Sequence, residues 1–420
     1  MTSATPIRVQ ASRRPGATGR PPVAGRRHRA GFWLVAYAFA VTMAFSAVPT
    51  PLYVLYQARD GFGAFTLTLI FAVYAVGVSL SLLLAGHLSD WAGRRRMLAA
   101  AIAVNLASGV LFLTWPSVPG LLVARFVSGV SIGLLTATAT AHLTELHRAG
   151  RRARGRVGPS EQASAVSTAA NLGGIGLGPL LAGLLAQYGP DPLHLSYLVG
   201  EGLMVAALLA LMLVPETVTR PDPRPAYRPQ RVSVPPASRP AFWAAGGTGA
   251  VVFSVFGLFT SLAPSFLAGT LHDRSHALAG VAAFAVFGAA ALSQIMLARV
   301  PLLRLLVIGI TVLVTGLALV TVAVWVASLA LLLIGGVLAG AGAGATFKAT
   351  VATVIAVAPD GARGEALAGL FLAAYLGLAV PVIGLGVATQ YLSAPVALLI
   401  FAAALLAALA TATRRLYRSA

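Results

Sequence analysis

Residues 86–96 read Gly-His-Leu-Ser-Asp-Trp-Ala-Gly-Arg-Arg-Arg. This short charged loop lies between two apolar stretches, 65–88 and 97–115, each long enough to cross a bilayer as a helix. Glycines turn a chain and arginines hold a loop at the inner membrane face, so an ordinary turn would explain the residue types. It would not explain their order. Gly86, Leu88, Asp90, Gly93, Arg94 and Arg95 together spell a spaced pattern, G-x-L-x-D-x-x-G-R-R.

Outward from this loop the chain is apolar. Of its 420 residues, 58% are hydrophobic and 10% charged, against the roughly 25% charged expected of a soluble domain. Twelve stretches have the length of a membrane-crossing helix. They lie near 31–56, 65–88, 97–115, 118–145, 162–187 and 193–214, then 242–268, 276–298, 303–324, 327–357, 363–388 and 392–413. The expected fold is an all-α integral membrane protein with twelve transmembrane helices, surrounded by the lipid bilayer.

The net charge of +19 does not imply a nucleic-acid partner, because its distribution follows the membrane. With the N-terminus placed in the cytoplasm, all of the 30 basic residues except Arg59, Arg125, Arg274 and Lys348 fall in inner segments. That satisfies the positive-inside rule with both termini cytoplasmic and predicts a multi-pass protein of the plasma membrane. Residues 1–30, rich in Arg, Pro and Gly, read as a disordered basic tail without the apolar run of a signal peptide. Cysteine is absent, which excludes disulfides, thiolate catalysis and cysteine metal sites. With no phosphate-binding loop and no His-rich metal motif, neither enzymatic activity nor a cofactor is expected.

Residues 215–241 carry Pro215, Pro221, Pro223, Pro225, Pro229, Pro235, Pro236 and Pro240 among arginines, and read as a cytoplasmic linker. It divides the chain into six-helix halves at 31–214 and 242–413, with a short tail at 414–420. The halves echo each other. Phe32-Trp33 opens the first span and Phe242-Trp243 the seventh, while Glu161, Pro179 and Gln187-Tyr188 recur as Glu365, Pro381 and Gln390-Tyr391.

The loop pattern resembles the signature between helices 2 and 3 of the major facilitator superfamily, and the parallel repeat is that superfamily's arrangement. The loop does not recur cleanly in the second half, where Arg299 and Arg304 stand without an aspartate. The resemblance implies a monomeric secondary transporter that works by alternating access on a small-molecule substrate held between the halves. It also implies that Gly86, Asp90, Gly93, Arg94 and Glu145 form a cytoplasmic gate, with Asp90 capping the start of helix 11.

Two further motifs resemble those of the superfamily. Arg125, Gly129 and Gly133 match the R-x-x-x-G-x-x-x-G of helix 4, whose arginine is implicated in proton coupling. An arginine about seven residues inside a span costs a contested 2.5 kcal/mol or more, so it faces a cavity or snorkels to the headgroups. Gly174, Gly178, Pro179 and Gly183 match G-x-x-x-G-P-x-x-x-G, associated with drug/proton antiporters, although Ala182 stands where a second glycine is usual. Tight helix packing requires the same residues. Export driven by protons is the resulting expectation, with uptake by proton symport as the alternative.

Lys348, the single lysine, and Glu201, inside the sixth span, complete the coupling candidates. The offset of Lys348 from Thr346 and Thr350 predicts that it points away from that polar stripe. Thr42, Ser46, Thr50 and Tyr53 share one helical face, and Asn171 aligns with Ser164 and Thr168; these are the cavity candidates. The same groups serve equally as interhelical hydrogen-bond partners.

Overall fold

The computed structural model describes residues 22–86, 88–155, 161–218, 227, 234–359 and 363–419. Among them there is no strand, and twelve helices are long and apolar enough to cross a membrane: α1 Gly25–Asp60, α2 Ala64–Ala85, α3 Arg94–Thr114, α4 Val118–Arg152, α5 Glu161–Tyr188 and α6 Pro192–Leu211 in the first half. The second half holds α7 Pro236–Ser261, α8 His276–Met296, α9 Leu302–Trp325, α10 Leu329–Val357, α11 Arg363–Tyr391 and α12 Ala394–Arg414. The twelve-span expectation therefore holds.

Helix boundaries depart from the sequence reading where proline or polar residues obscured them. Helix begins at Pro22, inside the stretch read as a tail, because an amphipathic turn bearing Arg26, Arg27 and Arg29 extends the first apolar run. At the other side of the linker, the segment from Pro236 already belongs to α7. Residues 219–226 and 228–233 of the linker lie outside the described residues.

Two spans are broken. In α1 the helix Pro22–Ala47 gives way at Val48 to a second helix, Pro49–Asp60. Pro49 and Pro51 lack amide hydrogens to continue the ladder, and Val48 N–H turns back to the Phe45 carbonyl at 3.2 Å. The seventh span breaks correspondingly: its helix ends at Ser261, and a short helix Ala263–Gly269, with Pro264 in its first turn, follows. Within α5, residues Ala169–Gly173 form a π-helical turn just before the glycine-rich stretch.

Packing makes the repeat visible. Gly129 and Gly133 let α4 lie against α2, where a Cβ would collide with the carbonyl oxygens of Tyr74 and Val78. Gly340 and Gly344 let α10 lie against α8 in the same way, over the carbonyls of Val286 and Ala290. Small residues at fixed spacing bring backbones close, and dispersion contacts then replace the hydrophobic drive that lipid does not supply. The two halves meet along α5 with α8 and α2 with α11.

Candidate functional site

A cavity of about 800 Å³ lies between the halves. Its lining reaches Glu161 and Gln162 at the start of α5, Thr144 late in α4, Gln294 and Ala298 at the end of α8, and Lys348 late in α10. All of these belong to the end of the molecule that carries Arg94–Arg96 and Arg148–Arg154, so the cavity opens there. At the opposite end the lining stops at Thr50, Arg125, Ile175 and Thr260.

Beyond those residues the halves are sealed. A side chain on Gly183 would run into the His276 carbonyl, one on Gly280 into that of Pro179, and one on Gly386 into Thr68. Polar contacts complete the seal: Ser265 Oγ donates to Gln57 Oε1 at 3.2 Å, and His276 N–H donates to Gln187 Oε1 at 3.0 Å.

The two walls differ in chemistry. The first half contributes hydroxyls and amides: Thr136, Thr140 and Thr144 on successive turns of α4, and Ser164, Ser167, Thr168 and Asn171 on α5. Thr140 and Ser167 lie 3.0 Å apart, oxygen to oxygen. The second half presents Phe253, Phe256, Phe287, Phe347, Phe371 and Tyr375. Their rings touch in sequence, with Phe256 stacked on Phe287 at 4.9 Å between centroids and Phe253 tilted on Phe347 at 5.0 Å. Sequence reading missed this wall, because phenylalanine in a span is indistinguishable from a lipid-facing residue until the helix rotation is known.

Arg125 sits at the sealed end and is 3% exposed. It does not snorkel. Its Nη1 donates to the Ser46 carbonyl at 2.6 Å, and its guanidinium lies over the Tyr74 ring at 4.2 Å and near Phe71 at 5.7 Å. Nε has no hydrogen-bond partner, and among the described residues no carboxylate pairs with it. Lys348 also lines the cavity, with Nζ donating to the Gln294 carbonyl at 2.5 Å.

Lys348 points away from the Thr346 and Thr350 stripe, and it is the lysine side of helix 10 that meets the cavity. Phe347, Lys348 and Val351 face the cavity, whereas Thr346 is wholly buried against Gly309 of α9, and Thr350 bonds back to the Thr346 carbonyl. Glycines on α9 and α10 fix that rotation; the Thr350 hydroxyl is satisfied within its own helix, whereas the buried Thr346 hydroxyl has no hydrogen-bond partner.

Of the cavity candidates, Ser46, Thr50 and Asn171 line the space. Thr42 does not: it is fully buried, bonds the Ala38 carbonyl, and its own carbonyl accepts from Asn105 of α3. Tyr53 is buried with its hydroxyl unpartnered and lies outside the lining. The common face that regular spacing implied is split: Ser46 and Thr50, on either side of Val48, meet the cavity, whereas Thr42 and Tyr53 pack into the protein. Glu201 is placed against α3, where a Cβ on Gly109 would meet its carboxylate, also away from the cavity.

Gly174 and Gly178 pack α5 onto Ala40 and Ala44 of α1, while Gly183 faces α8. One motif thus serves two contacts, within a half and between halves. Pro179 lies inside the α5 helix.

The signature loop forms a second polar centre at the open end. Gly86 closes α2, and Ser89–Ala92 make one turn of helix. Gly93 has φ +106°, which side chains other than glycine's rarely adopt. The Arg94 guanidinium bonds Ser89 Oγ at 2.6 Å and Glu145 Oε1 at 3.1 Å. Glu216, read from sequence as part of the linker, accepts the Arg94 and Arg95 amides at 2.9 and 3.1 Å. It thereby caps the start of α3, where free amides and the helix dipole favour an anion. The side chain of Asp90 lies outside the described residues. An acidic residue directly after a span, within an arginine-rich segment, is the signal that would have singled out Glu216.

A third polar link crosses the halves at the mouth. Arg299 bonds Glu161 at 3.0 and 3.2 Å, and the carboxylate holds the Arg299 guanidinium above the usual arginine range.

The family model described as Major Facilitator Superfamily matches residues 31–325. The human organic anion transporter MFSD10 (TETRAN) superposes with a TM-score of 0.68 at 17% identity, over 94% of this chain and 100% of that one. The nucleoside transporter NupG gives 0.67 at 10% identity, over 92% and 99%. At such identities these two structures speak for the fold alone. The curated myo-inositol transporter 2 of Schizosaccharomyces pombe is 34% identical over 89 residues, which is 21% of this chain and 16% of that protein. The match therefore spans a small part of that relative's length.

Proposed function

This chain belongs to the major facilitator superfamily, and from that membership we propose that it exports a small molecule by alternating access, with proton re-entry as the driving force. It is a multi-pass membrane protein of transporter fold. In the proposed reading it resides in the plasma membrane as a monomer with both termini cytoplasmic, so the cavity opens inward in the state described.

The observation that carries the proposal is the cavity of about 800 Å³, open at the arginine-rich end and sealed at the other. That volume suits a drug-sized ligand. A rocking motion of the halves around it would expose the same residues to the other side. Arg125 at the closed end, and glycines of α5 at both the α1 and α8 contacts, support coupling of cavity occupancy to helix packing. The region 215–241 then joins the halves as a linker, with Glu216 latched to the loop that begins α3.

Uptake by proton symport is the second reading, favoured by the likeness to a myo-inositol transporter over 89 residues. Proteoliposomes carrying an internal pH dye, with an imposed substrate gradient, separate the two. Opposed substrate and proton fluxes, lost in Arg125→Gln, support export; co-directional fluxes assign symport. A gradient of transported substrate that moves no protons refutes the coupling.

A further inference from the structure

We propose that the cavity selects amphipathic organic anions, with Arg125 and Lys348 as the cationic contacts for the acid group and the phenylalanine wall as the seat of the apolar body. This rests on the reading that the cavity is the transport path, and is independent of the direction of transport and of the coupling ion.

The charge inventory of the lining is one-sided. Arg125 and Lys348 both line the cavity, and the carboxylate among the lining residues, Glu161, lies at the mouth and is bonded to Arg299. A cationic drug entering would meet two like charges against one carboxylate, and that carboxylate already faces Arg299 and Lys348. An anion meets the reverse.

Arg125 is the sharper of the two. A guanidinium held at 3% exposure, with Nε unbonded, retains its charge because arginine does not deprotonate in proteins. An uncompensated buried charge is costly, and the Tyr74 ring offsets part of that cost through its face. A carboxylate or sulfonate arriving beside the guanidinium, where Arg125 lines the cavity, would supply the missing counter-charge.

Lys348 stands nearer the mouth. Gly340 and Gly344 correspond to Gly129 and Gly133, which sets Lys348 opposite Ala137, twelve residues from Arg125 and about 18 Å along the helix. The two cations therefore mark successive positions on one path rather than one bidentate site: Lys348 meets the anion at entry, and Arg125 holds it at depth. Between them lie threonine and serine hydroxyls on one side and phenylalanine rings on the other. A polyol would leave hydroxyls unpaired against that aromatic wall, whereas a flat apolar body fills it.

The test uses the full chain in detergent, titrated by calorimetry with three isosteric probes: 2-naphthoate, 2-naphthamide and protonated 2-naphthylmethylamine. Naphthoate is expected to bind saturably, at least about tenfold tighter than the amide, with no binding of the ammonium. Arg125→Gln and Lys348→Gln should each weaken naphthoate by about tenfold or more, while Arg125→Lys and Lys348→Arg keep most of the affinity. Should Arg125→Gln not fold, Arg125→Lys and the two Lys348 variants carry the comparison.

Equal or tighter binding of the ammonium or the amide overturns the proposal. So does naphthoate affinity unaltered in the charge-removed variants, or a folded protein that binds neither naphthoate nor naphthalene-2-sulfonate. Counterflow in proteoliposomes separates this from the transport reading. Naphthoate bound through Arg125 but never moved leaves the anion site standing and removes the transport path, while movement of the ammonium with naphthoate ignored does the opposite.

Discussion

Glu216 and Arg94 are joined through backbone rather than charge: the carboxylate takes the Arg94 amide at 2.9 Å and the Arg95 amide at 3.1 Å, while the Arg94 guanidinium turns to Glu145. Glu216, five residues past the end of α6, thus caps α3, and a connection read as linker becomes part of the scaffold. Replacing Glu216 by Ala removes that cap and is expected to cost about 0.5–2 kcal/mol. Gly93→Ala should lower the thermal unfolding midpoint further, since it imposes strain at φ +106° and drives a Cβ to 2.7 Å from the same carboxylate. An unfolding midpoint for Gly93→Ala at or above that of Glu216→Ala would refute this account of the loop.

Removing the buried charge at Arg125 should separate stability from activity. Arg125→Gln relieves an uncompensated cation, so the unfolding midpoint in detergent should stay level or rise while transport is lost. A large drop in midpoint would instead assign Arg125 a structural role through its 2.6 Å bond to Ser46.

Gly183→Val tests the seal. A side chain there strikes the His276 carbonyl and approaches Gly280, so the closed end should open and the population shift away from the state described. The chain contains no cysteine, which makes Thr50→Cys a clean reporter. Maleimide labelling from the sealed side should accelerate in the Gly183→Val background; an unaltered rate argues against this seam as the barrier.

The Glu161 and Arg299 pair bridges the halves at the open end but stands in solvent, with side-chain exposures of 64% and 82%. Exposed pairs contribute little to stability, so Glu161→Gln should leave the unfolding midpoint unaltered. Its effect should appear as a salt-sensitive change in transport rate, because screening removes the same attraction. A marked loss of midpoint would show that the pair holds the halves together.

What the sequence made legible was what length and spacing determine. Twelve spans follow from apolar length, and the Gly93 turn from a residue order that few loops need. Helix rotation was not legible. Lys348 was expected to avoid the polar stripe of α10, but spacing did not say which of the two meets the cavity: Thr346 is buried against Gly309, and Lys348 lines the space. In a bilayer both faces of a span are apolar, so periodicity does not say which one meets protein. Tyr53 shows a different limit: spacing put it on one face with Thr50, but the helix restarts at Pro49 and of the two only Thr50 meets the cavity. The aromatic wall was hidden for a related reason, since its members come from α7, α8, α10 and α11 and are joined only in space.

The breaks at Val48 and Leu262 leave Pro49–Asp60 and Ala263–Gly269 as short rods on the ends of much longer ones. Gln57 and Ser265, bonded at the sealed end, sit on these two rods. The first rod is tied to its own half as well, through Tyr56 to Tyr197 of α6 and Arg59 to the Pro116 carbonyl, so it joins the outer end of one half to the outer end of the other. Any opening of that end must break the Gln57 to Ser265 bond, and it carries Tyr56 and Arg59 along with the rod on which Gln57 sits.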